Sequence, residues 1–173
     1  MAKISILGTV GVPANYGGFE TLAENLALQN NQTNNPFDLT VYCSSRAYSD
    51  HPKEFAGARL RYLPLNANGI QAMFYDMWSL IDASLHGSDM VILLGHGGSF
   101  VIPLLKLVSK TRFVTNIDGI EWRREKWTGF ARWIIRKSEA LAVRHSHIVV
   151  VDNEAIREYV AHEFDRESVV IPY

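Results

Sequence analysis

Long hydrophobic runs are missing from this 173-residue chain: the longest unbroken apolar stretches, Met90 to Leu94 and Ile148 to Val151, are strand-sized. A bilayer-spanning helix needs about 20 apolar residues, so none is expected. Met1-Ala2-Lys3 leads straight into Ile4-Ser5-Ile6-Leu7, a stretch too brief for a signal-peptide core. The expected location is therefore cytoplasmic, with any membrane contact peripheral, at the inner face of the plasma membrane. Cysteine is nearly absent, and Cys43 alone allows neither an internal disulfide framework nor a cysteine-based metal cluster. The six histidines are scattered without an H-x-x-x-H pair, and no protein-bound metal is expected. Net charge is −1, which leaves no chain-wide attraction for nucleic acid. The G-x-G-x-x-G spacing of nicotinamide sites, the GKS or GKT end of a phosphate loop and the G-x-S-x-G elbow of serine hydrolases are all missing.

What is present is alternation. At 47% hydrophobic and 20% charged, the composition suits one soluble domain with a real core. Strands are expected at Ile4-Leu7, Leu39-Cys43, Leu60-Leu63, Met90-Leu94, Arg112-Thr115, Ile148-Val151 and Val169-Ile171. Between them, helical spacing predicts helices over 19–29, 70–85, 129–144 and 153–163, and a short one from Pro103 to about Ser109. The inner stripe of the first should be Phe19, Leu22 and Leu26, with Ala23 beside it. That of the second should be Met73, Met77, Leu80, Ile81 and Leu85. The polar run Gln29 to Asn35 reads as a loop. Unbroken apolar strands alternating with helices signify a parallel sheet covered on both faces. The expected fold is a Rossmann-like, doubly wound α/β domain, in which ligands bind beyond the C-terminal ends of the strands.

Three loops there carry unusual chemistry. In the first, Tyr16-Gly17-Gly18 sets bare backbone amides at a helix start, suited to a diphosphate, with Glu20 in the first turn. The plainer reading is that these glycines merely turn the chain. The second, Gly95-His96-Gly97-Gly98-Ser99, offers His96 as a hydrogen bonder, although a lone loop histidine is as often incidental. The third runs from Thr115 to Trp127 and contains Asn116, Asp118, Glu121 and Trp122. Carboxylates bind sugar hydroxyls and an indole packs against a sugar face, and a carboxylate here could serve as a base. Asp118 could instead simply cap its own backbone. From Trp122 to His145, seven Lys or Arg face two acids, interleaved with Trp127, Phe130 and Trp133. Tryptophan among bases, with Trp127 and Arg132 as the markers, reads as contact with an anionic membrane surface. A core helix with a solvated basic face is the alternative, because Phe130, Ile134 and Leu141 are expected to pack on the sheet.

Taken together, Gly8-Thr-x-Gly-x-Pro-Ala-x-Tyr-Gly-Gly-Phe-Glu-Thr, Asn116-Ile-Asp-Gly-Ile-Glu-Trp, Ser138-Glu139, Val151-Asp152-Asn153 and Ile171-Pro172-Tyr173 resemble the N-terminal domain of bacterial rhamnosyltransferases. These are retaining, family 4-like glycosyltransferases of the two-domain GT-B kind that build surface polysaccharides. The resemblance covers essentially the whole chain. It implies that residues 1–173 form the acceptor-side domain, and that a C-terminal donor-binding domain, absent from this sequence, completes the cleft. It further implies a sugar nucleotide such as dTDP-rhamnose as co-substrate, a lipid-linked saccharide as acceptor, and no cofactor or metal. Carried onto this chain, Asp118 is the catalytic candidate, and Gly17 and Gly18 approach the donor diphosphate. Tyr16, Glu20, His96, Asn116, Glu121 and Trp122 are the substrate-contact candidates. Val10 departs from the arginine that members commonly carry there. Half a cleft is expected to have little activity alone, because rate depends on holding both reactants in place. Two rivals stay open: a non-catalytic glycan- or lipid-binding module, and a nucleotide-dependent oxidoreductase or epimerase.

Overall fold

Strand-sized apolar segments with both faces to bury must pair side by side, and here they form one sheet. The computed structural model describes residues 1–15 and 17–172, with every side chain among them except that of Ile70. The strands are β1 (Ala2–Leu7), β2 (Phe37–Ser44), β3 (Glu54–Phe55), β4 (Ala58–Leu63), β5 (Met90–Leu94), β6 (Arg112–Ile117), β7 (Ile148–Val151) and β8 (Val169–Val170). The helices are α1 (Gly18–Gln32), α2 (Ala72–Leu85), α3 (Ile102–Val108), α4 (Gly129–His145) and α5 (Glu154–Phe164). Spatial order across the sheet is β3-β4-β2-β1-β5-β6-β7-β8. All pairings are parallel except β3 with β4. The expected doubly wound α/β fold is what forms. The antiparallel β3 hairpin had no apolar run to announce it.

Two apolar layers sandwich the sheet. On one face, Ala23 and Ala27 of α1 pack on Ile6, Leu39, Val41 and Leu94. On the other, Tyr75, Leu80 and Ala83 of α2 and Ile102 and Leu105 of α3 pack on Leu7, Val91, Leu93 and Phe113. Adjacent residues Ile6 and Leu7 are both fully buried, on opposite faces, which is why β1 tolerates no polar alternation. From β1 the chain steps to β2 on one side and later returns to β5 on the other. That reversal opens a crevice at the C-terminal ends of β1 and β5.

Several sequence expectations shift. Helix α1 runs on through Gln32, past the point where the polar run suggested a loop. Asn30 explains this: its amide donates to the Phe37 carbonyl and accepts from the Phe37 N–H, tying the last turn to β2. On α1 the fully buried positions are the small residues Ala23 and Ala27, Phe19 and Leu22 pack partly buried beside them as expected, and Leu26 is exposed. On α2 the buried side is Tyr75, Asp76, Ser79, Leu80, Ala83 and Ser84, leaving Ile81 and Leu85 outside. In α4 the buried residues are Ser138, Glu139, Ala142 and Val143, and Phe130 stands in solvent. Small and hydroxylic side chains let a helix axis approach the sheet closely, and that gain in contact outweighs burying a larger residue farther out. Among the described residues no helix is long and apolar enough to cross a membrane.

Candidate functional site

Because β1, β5 and β6 are neighbours, the three loops singled out above gather at one edge of the sheet. The β1–α1 loop turns sharply away from the sheet. Gly8 has φ 82°, and a Cβ there would lie 2.1 Å from the Leu94 carbonyl oxygen, so only glycine fits beside β5. Tyr16 lies outside the described residues. Gly17 caps α1 without a side-chain cap and Gly18 is its first residue, so the positive helix end lies in the β1–α1 loop. Glu20 folds back on its own loop: Oε1 accepts the Val10 N–H at 2.9 Å, and Oε2 fills the space a Gly17 side chain would need.

The β5–α3 loop is built on buried polar groups. His96 has a side chain only 11% exposed, and its carbonyl accepts from Ser99 Oγ at 2.8 Å and Ser138 Oγ at 2.5 Å. Burial lowers its imidazole to about 4, so it is neutral across the physiological range. Its Nε2 stands 3.9 Å from Oε2 of Glu139, a fully buried residue on α4. Glu139 Oε1 accepts from Tyr159 Oη at 2.5 Å, and Tyr159 Oη accepts from Trp122 Nε1 at 3.1 Å. Loss of hydration raises the Glu139 carboxyl, against the lowering effect of the Tyr159 hydroxyl. His96 Nδ1, Glu139 Oε2 and Asn116 Oδ1 are all buried without a hydrogen-bond partner. Three unpartnered polar atoms on adjacent ligand-edge elements are what a polar ligand could satisfy. Beneath the loop, burial pushes the Asp76 carboxyl up to about 8. A Cβ on Gly97 would meet Asp76 Oδ2 at 2.0 Å.

The β6–α4 loop separates its carboxylates. Asp118 is exposed just past β6. Partial loss of hydration raises its carboxyl, and the charges of Asp152 and Glu121 add to that rise. Glu121 is instead tied into the loop: Arg124 Nε lies at 2.9 Å, Lys126 Nζ at 2.8 Å, and Trp127 Nε1 donates to it at 2.9 Å. Burial alone would raise Glu121, but Lys126, Trp127 and Arg124 outweigh it and hold the carboxyl low. Trp122 does not offer a bare ring, since the guanidinium carbons of Arg123 and Arg136 sit 5.1 and 4.9 Å from its centroid. Trp127 is half-buried against Glu121, with the Lys126 ammonium 4.8 Å from its ring, while Arg132 is exposed.

Thus Gly17, Gly18, His96, Asn116 and Asp118 come to the same edge, whereas Glu20, Glu121 and Trp122 spend their polar atoms or faces holding loops. Sequence reasoning did not single out Asp76, Glu139 or Tyr159 as site residues. A signal existed for Asp76: it sits one helical turn before Leu80 and two before Ala83, where a carboxylate interrupts the buried stripe. A hollow of about 370 Å³ lies at the other end of the strands, lined by Lys3, Ser5, Arg59, Arg61 and His86. Its arginines are committed to Asp38 and Asp82, and the fold binds ligands at the opposite edge.

A family model described as a domain of unknown function, DUF1972, matches residues 1–173. No curated protein sequence matches the chain. Among solved structures, sucrose-phosphate synthase from Thermosynechococcus elongatus aligns with TM-score 0.74 at 11% identity, over 99% of this chain and 48% of that one. Arabidopsis thaliana UGT89C1 in complex with UDP-L-rhamnose aligns with TM-score 0.53 at 11% identity, over 99% of this chain and 53% of that one. At such identity the likeness speaks for the fold, which is the Rossmann-like fold of GT-B glycosyltransferases. The chain spans about half the length of these structures.

Proposed function

We propose that this chain, which belongs to the DUF1972 family, is the acceptor-side half of a sugar-nucleotide-dependent glycosyltransferase. One observation carries the reading. The exposed carboxylate of Asp118, the neutral imidazole of His96 and the amide-lined start of α1 at Gly17–Gly18 share the ligand edge of a GT-B-type sheet. In this reading the donor diphosphate meets the amides and the positive end of α1, which offset its charge without a metal. The C1–oxygen bond to the diphosphate breaks, and its electron pair leaves with the nucleoside diphosphate. The acceptor hydroxyl oxygen bonds to C1 and gives up its proton to Asp118, whose raised carboxyl makes it the better base. His96 serves as a neutral hydrogen bonder to a sugar hydroxyl.

The donor we assign is dTDP-rhamnose or a close relative, and the acceptor a lipid-linked saccharide of surface polysaccharide synthesis. That substrate places the chain at the cytoplasmic face of a membrane, as a peripheral protein. The half-length coverage of the GT-B structures supports a second, donor-binding domain as the other wall of the cleft. The test is transfer of labelled rhamnose from dTDP-rhamnose to a lipid-linked saccharide, with and without a relative's donor-binding domain. Transfer is expected only with both halves, and Asp118→Asn should lower it by about 100-fold or more. Turnover by the chain alone, or undiminished turnover by Asp118→Asn, refutes the assignment. A non-catalytic glycan-binding module is the second reading, favoured by the internal engagement of Glu20, Glu121 and Trp122. Saccharide binding without transfer under every donor tried would select it.

A further inference from the structure

A helix lying on a sheet ordinarily turns polar residues outward. Helix α2 does the reverse. Phe74, Trp78, Ile81 and Leu85 are 55%, 46%, 37% and 69% exposed. They recur at i, i+4, i+7 and i+11, on the side opposite the buried Tyr75, Ser79, Leu80 and Ala83. Beside it, α3 exposes Leu104, Leu107 and Val108. On α4, next in the same layer, Phe130 and Trp133 stack in solvent at 5.7 Å, and Lys137 stands 5.9 Å from the Trp133 ring. Lys137 and Arg144 continue the Phe130–Trp133 line along the helix and are exposed, whereas Arg132 falls off it. Three adjacent helices thus share one outward apolar face, and contiguous exposed apolar surface of this kind marks interaction sites.

Charge decides what covers it. The only carboxylates on these three helices are Asp76, Asp82 and Glu139. Asp76 is 9% exposed and Glu139 is fully buried. Asp82, with a side chain 11% exposed, is held by Arg61. Among the described residues the face therefore shows solvent apolar groups and the cations Lys137 and Arg144, with no exposed carboxylate, while Lys106 donates to the His145 carbonyl at the end of α4. A second copy seated here would set cations against cations. An anionic bilayer supplies acyl chains for the indoles and leucines, and phosphates for the ammonium and guanidinium groups. We infer that the outer face of α2, α3 and α4 is the surface by which this chain sits on an anionic phospholipid bilayer. Trp78, Leu107 and Trp133 enter the interface, and Lys137 and Arg144 meet the headgroups. Trp127, hydrogen-bonded to Glu121, is not the anchor. The inference rests on the peripheral membrane location proposed above and is independent of sugar transfer.

Vesicle sedimentation of the full chain tests it, comparing phosphatidylglycerol-rich with phosphatidylcholine vesicles. Binding is expected to the anionic vesicles only. The exposed-site double variant Leu107→Ser/Trp133→Ser should lose at least about tenfold in partitioning, and Lys137→Gln about fivefold. Trp127→Ala should bind as the parent does, and circular dichroism verifies that each variant is folded. Absent binding by the parent chain, or folded face variants that bind normally, overturns the inference while leaving the transfer assay to judge the enzyme on its own. Loss of binding by Trp127→Ala alone would return the contact to the β6–α4 loop. A dimer in sedimentation equilibrium that Leu107→Ser dissolves would assign the face to a second copy instead.

Discussion

Replacing Asp76 by asparagine should stabilise the protein, and more so the higher the pH. Asp76 is buried under Gly97, and its carboxyl sits at about 8 against an ordinary 3.8 because burial disfavours the charged form. A carboxyl with a raised folded value helps the fold while protonated in both states. That help is complete below about 3.8, declines as pH rises, and is gone above about 8. The slope between those limits is about 1.4 kcal/mol per pH unit. From pH 5 to pH 8 the wild type should therefore lose up to about 4 kcal/mol from this group, a ceiling because a buried site relaxes and admits water. Asparagine has nearly the same shape and no such loss. Urea unfolding of Asp76→Asn and wild type at both pH values should show a gap that widens by about 2 to 4 kcal/mol toward pH 8. In thermal melts this is several degrees for a chain of this size. A gap that stays constant with pH, or a variant less stable at pH 8, would mean the carboxylate is held ionised by the loop, and the reasoning would fail.

Gly97→Ala forces a methyl against Asp76 Oδ2 at 2.0 Å and should cost about 1–3 kcal/mol. Combined with Asp76→Ala, most of that cost should vanish, and a double-mutant cycle with no coupling would contradict the contact. Glu121→Ala removes the acceptor of Trp127 Nε1 and the partner of Arg124 and Lys126. The expected result is a red shift of tryptophan emission with under about 1 kcal/mol of global destabilisation, since the pairs are largely exposed. In the wild type the same opening should follow acidification, because a carboxyl held low loses its partners only as pH falls through its folded value. Emission that does not move in either experiment would place the indole elsewhere.

Much of the fold was legible because unbroken apolar strands and helical spacing are local signals. The strand at Met90–Leu94 and the helix starting at Gly129 read directly from the residues. What misled was size. Leu26, Ile81, Leu85 and Phe130 look like core residues and stand exposed, while Ala27, Ser79 and Ser138 are buried. Periodicity finds an amphipathic helix, but how closely its axis approaches the sheet selects the buried side. The candidate site was half legible in the same sense. Asp118, His96 and Gly17–Gly18 lie in loops whose composition is visible, whereas the engagement of Glu121 by Arg124, Lys126 and Trp127 depends on how the loop closes.

By itself the sequence determined most of the element order, the covered parallel sheet and the loops at its ligand edge, since unbroken apolar strands and helical spacing are local signals and their alternation implies the layers. Tertiary structure alone decided that Glu139, on a helix far along the chain, stands 3.9 Å from His96. It also decided that Asp76 lies beneath Gly97 and that three helices turn a common apolar, cationic face outward. Those arrangements join residues from 21 to about 70 positions apart, and their energies depend on desolvation and close packing, which exist only once the layers have met.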